Sequence, residues 1–159
     1  MKPEEYGEKY KDHLLEQYKL YVTMADNVSA RRAQTNAFYI SVLSGLLAVL
    51  ALAAEKVPGD AQYFAYLAVA VLGILLCIVW MVNLESYRQL NSGKFKTIHE
   101  IEQQLPFPCY QREWELMRMT QPGEKPRYRR LTHVEKWTPG IVLIPYLLLL
   151  AYAIINLVK

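Results

Sequence analysis

The string IHEIE places His99, Glu100 and Glu102 within one short stretch, the nearest approach in this chain to a metal-binding or acid–base cluster. A zinc-protease helix would need a second histidine one turn away, and Phe95 and Gln103 hold those positions. Glu100 and Glu102 are two residues apart, so on a helix their side chains diverge. The pattern reads as a solvated or ion-paired helix face. Cys109 follows a proline, and nothing in the sequence sets a base beside it to activate a thiolate. Cys77 lies in an apolar run, and the two cysteines have neither metal spacing nor a disulfide framework. The RYRR run offers Arg127, Arg129 and Arg130 to phosphate or anionic lipid, a common property of juxtamembrane basic clusters. No glycine-rich phosphate loop accompanies it. The expectation is a protein with no catalytic residues, no metal site and no cofactor. An enzyme would need a cleft gathering Cys109, His99 and His133.

The elements that carry these residues are set by hydropathy. The chain has 159 residues and a mean hydropathy near zero. That average hides three blocks free of Asp, Glu, Lys, Arg and His: Asn36–Ala54, Ala61–Val82 and Pro139–Val158. Roughly 20 such residues cross a hydrocarbon core about 30 Å thick. The sequence therefore predicts an all-α integral membrane protein with three transmembrane helices. Its segments are a cytoplasmic amphipathic arm (1–35), the first span (36–54), an external turn (55–60), the second span (61–82), a cytoplasmic helical loop (83–138) and the third span (139–158). The first block lies too far from the N-terminus, and lacks the cleavage pattern, for a signal peptide.

Charge orients the spans. Lys2, Lys9, Lys11, Lys19, Arg31 and Arg32 precede the first span, Lys56 lies between the first and second, and Lys159 follows the third. The rest of the eighteen basic residues fall between the second and third. Positive charge collects on the cytoplasmic side, which gives a cytoplasmic N-terminus and an external C-terminus. Phe38, Tyr39, Tyr63, Phe64, Tyr66, Trp80 and Trp137 stand near span ends, where amphipathic rings favour headgroup depth.

In the arm, Tyr6, Tyr10, Leu14, Tyr18, Tyr21, Ala25 and Val28 recur at steps of three or four and form one helical stripe. No breaker separates it from the first span, so one helix from about Glu4 to Ala54 is expected. After the second span the helix continues, and Asn91–Gly93 supplies a turn. A second amphipathic helix carries Phe95, Ile98, Ile101 and Leu105 until Pro106 and Pro108 stop it. A short helix is expected around Arg112–Met119, then a loop. Thr132 and Glu135 have capping-box spacing at the start of a helix leading into the third span, where Pro139 and Pro145 should bend it. In the first span, Ser41, Gly45 and Ala48 share a face suited to close helix packing in lipid. No acidic, basic or histidine side chain lies within a span, which argues against an ion-coupled transporter.

The strings EQYKLYVTMADNVSARRAQTNAFY, SYRQLNSGKFKTIHEIEQQLP, REWE and LTHVEKWTP resemble the RipA family of octameric bacterial inner-membrane proteins over nearly the whole chain. The resemblance implies a multi-pass protein of the bacterial inner (cytoplasmic) membrane that assembles as an octameric ring, with no catalytic residue to carry over. Two polar groups suit assembly contacts at the membrane edge: Asp26, Arg31 and Arg32 on one helix, and Tyr87, Arg88, Asn91, Lys94 and His99 on another. The expected partners are the lipid bilayer and further copies of the chain, with no nucleic acid. The leading functional reading is a non-enzymatic scaffold or organiser. The alternative is a pore- or channel-forming effector with a lipid-filled or gated lumen.

Overall fold

The computed structural model describes residues 3–53, 56, 60–118 and 131–158. The described residues are helical apart from short connections: α1 (Pro3–Tyr6), α2 (Tyr10–Ala53), α3 (Asp60–Glu102), α4 (Cys109–Arg118) and α5 (Leu131–Val158). Three of these, α2, α3 and α5, are long and apolar enough to cross a membrane.

The first long helix begins later than its periodicity suggests. Gly7 adopts φ +91°, a conformation that L side chains avoid, and separates α1 from α2. Tyr6 therefore leaves the stripe. It is 43% exposed, bonds His13 Nδ1 through its hydroxyl at 2.7 Å and meets the Tyr10 ring edge-on. From Tyr10 onward the stripe holds: Tyr10, Leu14, Tyr18 and Tyr21 are half-buried, and Ala25 and Val28 are buried. The 44 residues of α2 span about 66 Å at 1.5 Å each, roughly twice the hydrocarbon core.

The turn expected at Asn91–Gly93 is absent, and α3 runs 43 residues without interruption. A glycine inside a helix costs only about 1 kcal/mol relative to alanine. Continuing the helix buries Ile98 completely and ties Asn91 Nδ2 to Ser29 Oγ at 3.3 Å. Local turn propensity loses to that packing. The helix ends at Glu102, ahead of Pro106 and Pro108, in turns closed by Gln104 N–H to Ile101 O and Leu105 N–H to Glu102 O, both 3.0 Å. The short helix expected near 112–119 is α4. At the third span Glu135, one half of the expected capping box, pairs with Arg32 at 3.4 Å, and the side chain of Thr132 lies outside the described residues. The helix is continuous through Pro139 and Pro145.

The chain divides into two units. Met1–Arg31 with Tyr87–Arg130 make a polar unit, and Arg32–Ser86 with Leu131–Lys159 make an apolar one. The division falls between Arg31 and Arg32, where the sequence changes from charged to apolar. The core of the apolar unit is Tyr39, Leu43, Cys77, Trp80 and Tyr146, flanked by half-buried Leu46, Leu47, Ile74 and Leu143.

Candidate functional site

The polar unit is organised on a carboxylate. Glu102, the last residue of α3, is fully buried. Its Oε1 accepts the Tyr18 hydroxyl of α2 and the Tyr110 backbone N–H, each at 2.9 Å, and its Oε2 accepts the Gln111 N–H at 3.2 Å. Those two amides belong to the first turn of α4, where helical N–H groups have no intrahelical acceptor and the helix dipole favours a negative charge. Glu102 therefore caps a helix other than its own and pins it to α2 as well. The chain between α3 and α4, turned by Pro106 and Pro108, brings the α4 start back to the α3 end.

The surroundings of this junction shift two phenols. Burial, reinforced by the hydrogen bond to Glu102 and its charge, pushes the Tyr18 phenol well above its ordinary range. Burial also raises Tyr110, helped by the negative charges of Asp26, Glu113 and Glu102. Tyr110 further packs against Phe95 with ring centroids 5.7 Å apart. The Tyr10 hydroxyl donates to Gln104 Oε1, one helical turn from the stripe's next member.

The eight residues expected at assembly contacts occupy varied surroundings. Asn91 bonds Ser29, and Lys94 Nζ sits 5.6 Å from the centroid of the Tyr21 ring. Asp26 acts on Tyr110 through its charge. Arg31 is exposed, while Arg32 is half-buried against Glu135. Tyr87 and Arg88 are both engaged in interactions. His99 is half-buried, and its Nε2, like Asn91 Oδ1, is buried without a hydrogen-bond partner among the described residues. Glu100 is exposed and Glu102 buried, so the IHEIE string splits between solvent and core. Among the described residues no group of three or more His, Cys, Asp and Glu could hold a metal ion. Cys109 is exposed with Sγ 3.7 Å from the Phe107 carbonyl. Arg127, Arg129, Arg130 and the side chain of His133 lie outside the described residues.

The apolar unit holds its helices with uncharged bonds. Trp80 Nε1–H donates to Asn36 Oδ1 and Asn83 Nδ2–H to the Tyr39 hydroxyl, both at 2.9 Å. The Tyr39 and Trp80 rings stack at 5.6 Å with 11° between planes. These two rings are buried and join α2 to α3, with bonded partners within the protein for their polar tips. Phe38, Phe64 and Trp137 are exposed, at 61%, 61% and 72%. Tyr63 and Tyr66 gather around Tyr152 of α5, with centroids 6.3 and 6.0 Å away. Tyr146 of α5 donates its hydroxyl to the Leu43 carbonyl of α2 at 2.6 Å. Its ring lies on Gly73 of α3, where an added Cβ would overlap the ring atoms. One tyrosine thus touches both other spans, and Gly73 supplies the room.

Sequence reading placed Glu102 on a solvated or ion-paired helix face, where the structure buries it, and passed over Gly73 and Tyr146. The only signal for Glu102 is an acidic residue just upstream of Pro-Phe-Pro and a helix start. A cap from seven residues before Cys109 depends on the chain folding back, which no local pattern reports. Gly73 and Tyr146 are more than seventy positions apart, and neither is unusual in an apolar span.

Over residues 15–155 the chain matches the family described as the octameric membrane protein family (8xMP). Neither the curated proteins nor the solved structures yield a significant match.

Proposed function

The chain belongs to the octameric membrane protein family, and from that premise we propose that it is a non-enzymatic membrane scaffold. In this reading the spans assemble eight copies, and the polar unit presents a helical platform beside the membrane. The observation that carries the reading is the Glu102 junction. Its buried carboxylate joins the end of α3, the start of α4 and the side of α2 through three bonds. Buried polar groups with every partner in place rigidify the structure around them, and rigidity is what a platform needs. The Tyr10–Gln104 and Asn91–Ser29 bonds act in the same direction.

The distribution of Lys and Arg supports placing this platform on the cytoplasmic side of a bacterial inner membrane, with the C-terminus outside. The resemblance of the sequence strings to the RipA family is in keeping with the same location. Arg127, Arg129 and Arg130 would then face anionic headgroups, worth about 1 kcal/mol for each basic residue at such a surface.

The test is electrical and cellular together. Octamers reconstituted in planar bilayers are expected to show no unitary conductance, and proximity labelling from the N-terminus is expected to mark a reproducible neighbour set. Glu102→Ala should remove that set while leaving the octamer intact. Conductance steps from the wild-type octamer would overturn the scaffold reading in favour of a pore-forming effector.

A further inference from the structure

Much of what the apolar unit exposes is aliphatic or small. Ser41, Gly45 and Ala48 of α2 are open, as are Ile144 and Leu148 of α5, and lipid tails satisfy such surfaces. One group on this unit is of another kind. Tyr63 and Tyr66, near the start of α3, and Tyr152, near the end of α5, bring three phenol rings together. Their centroids are 6.3 Å apart for Tyr63 and Tyr66, 6.3 Å for Tyr63 and Tyr152, and 6.0 Å for Tyr66 and Tyr152.

The three pairs of rings are inclined by 73°, 58° and 49°. No ring in the group has a parallel neighbour sealing its face, unlike Tyr39 and Trp80, which lie 11° from parallel. A point equidistant from the three centroids is about 3.6 Å from each, well within the roughly 6 Å over which a ring face attracts a cation. Tyr152 remains 51% exposed although it meets both partners, so the group is open to a ligand from outside the unit. Tyr63 stands three residues inside α3 and Tyr152 six inside α5, a depth at which a span meets headgroups.

Two amides flank the rings. Gln62 Nε2 donates to the Tyr66 hydroxyl, and Asn156 Nδ2 donates to the Tyr152 carbonyl at 2.8 Å. Both nitrogens are committed, which leaves Gln62 Oε1 and Asn156 Oδ1 to accept. Ring faces attract any cation, but carbonyl acceptors serve only one that carries N–H groups. A primary ammonium has three such donors, and a quaternary ammonium has none. α3 begins and α5 ends at this place, so the positive end of one helix dipole lies beside the negative end of another. That pairing suits a zwitterion better than a bare cation. In the flanking sequence Lys56 and Lys159 are set against Glu55 and Asp60, so an arriving ammonium meets little net repulsion.

We infer that Tyr63, Tyr66 and Tyr152 hold the primary ammonium of a zwitterionic phospholipid headgroup, with Gln62 and Asn156 accepting its N–H groups. The site goes beyond the scaffold reading and serves a scaffold or a pore alike.

The test is lipid retention by the full chain, purified in detergent and offered equal amounts of phosphatidylethanolamine, phosphatidylcholine and phosphatidylglycerol before native mass spectrometry. Phosphatidylethanolamine is expected to be retained about tenfold over phosphatidylglycerol, the scale of a desolvated cation–π contact, and severalfold over phosphatidylcholine. Tyr152→Ala should bring the first ratio close to one, whereas Tyr152→Phe keeps the ring face and should preserve it. Asn156→Leu should remove only the preference over phosphatidylcholine. Equal retention of the ethanolamine and glycerol lipids by the wild type would overturn the inference, as would a ratio unmoved by Tyr152→Ala. If helical circular dichroism shows that Tyr152→Ala does not fold, Asn156→Leu decides, and an unchanged preference over phosphatidylcholine overturns the site. Free phosphoethanolamine that displaces the lipid at equal concentration would overturn the lipid as its source.

Discussion

The polar and apolar units each centre on one buried side chain that reaches two other helical segments, yet they choose opposite chemistry. In the polar unit it is the Glu102 carboxylate, held by three donors. In the apolar unit it is the Tyr146 phenol, which makes one hydrogen bond and seats its ring on a glycine. A buried carboxylate is costly to desolvate and becomes favourable only when its oxygens are well bonded. Beside a helix start such donors are already present. Within a span the backbone donors are engaged in the helix itself, so shape complementarity has to carry the junction. The two units illustrate how solvent decides which kind of anchor a helix bundle can use.

The comparison is broken most severely by removing the charge. Glu102→Ala leaves two helical amides and a phenol without their acceptor, and losing a partner from a buried ionic network costs about 3–5 kcal/mol. Hydrogen exchange should accelerate at the Tyr110 and Gln111 amides while amides of the spans keep their protection. Equal loss of protection in both units would show that the carboxylate supports more than its own junction. Glu102→Gln keeps one acceptor oxygen and should lose less.

The steric anchor comes next. Gly73→Ala places a methyl group into the Tyr146 ring, and overpacking of this kind costs about 1–3 kcal/mol. Thermal unfolding in detergent should fall, and Tyr146→Ala in the same chain should recover part of the loss. Additive effects in the double mutant would mean that ring and glycine do not act as a pair.

Smaller still is the uncharged bonding between α2 and α3. Trp80→Phe removes the indole donor to Asn36 and keeps a stacking ring against Tyr39. Interhelical hydrogen bonds in membranes average about 0.6 kcal/mol and reach roughly 1.7, so its melting shift should be well below that of Gly73→Ala. A loss as large as that from Glu102→Ala would erase the distinction between the units.

The least effect at neutral pH, and one confined to the polar unit, comes from its phenols. Tyrosine ordinarily titrates at 10.0, and burial raises Tyr18 and Tyr110 above that value. The folded unit holds these protons to higher pH than the unfolded chain does. Their contribution is therefore complete below pH 10 and is lost as pH rises beyond it. Tyr18→Phe should blunt the alkaline loss of stability of the polar unit, read as tyrosinate absorbance against unfolding. An unchanged alkaline profile would remove Tyr18 from the account.

Much of this architecture is legible without coordinates. Runs of uncharged residues marked the three long helices, and a three–four periodicity marked the α2 stripe from Tyr10 to Val28. Both are local properties, since an apolar span must satisfy its own backbone and an amphipathic helix must bury one side. Local reading failed at Asn91–Gly93, where turn-forming residues remain helical because Ile98 and Asn91 find partners. At Tyr39 and Trp80 it gave no hint of the partners, Asn83 and Asn36, that their polar tips find inside the protein.

Composition and periodicity alone determined the class of protein, the number of long helices and where charge gives way to apolar surface, because each follows from neighbours in sequence. Only the tertiary structure decided that Glu102 is an anchor, that Gly73 serves Tyr146, and that Gly45 is left open on an exposed face. These roles depend on residues far apart in the chain arriving within a few ångströms of one another, and a contact of that kind leaves no periodic trace in the sequence.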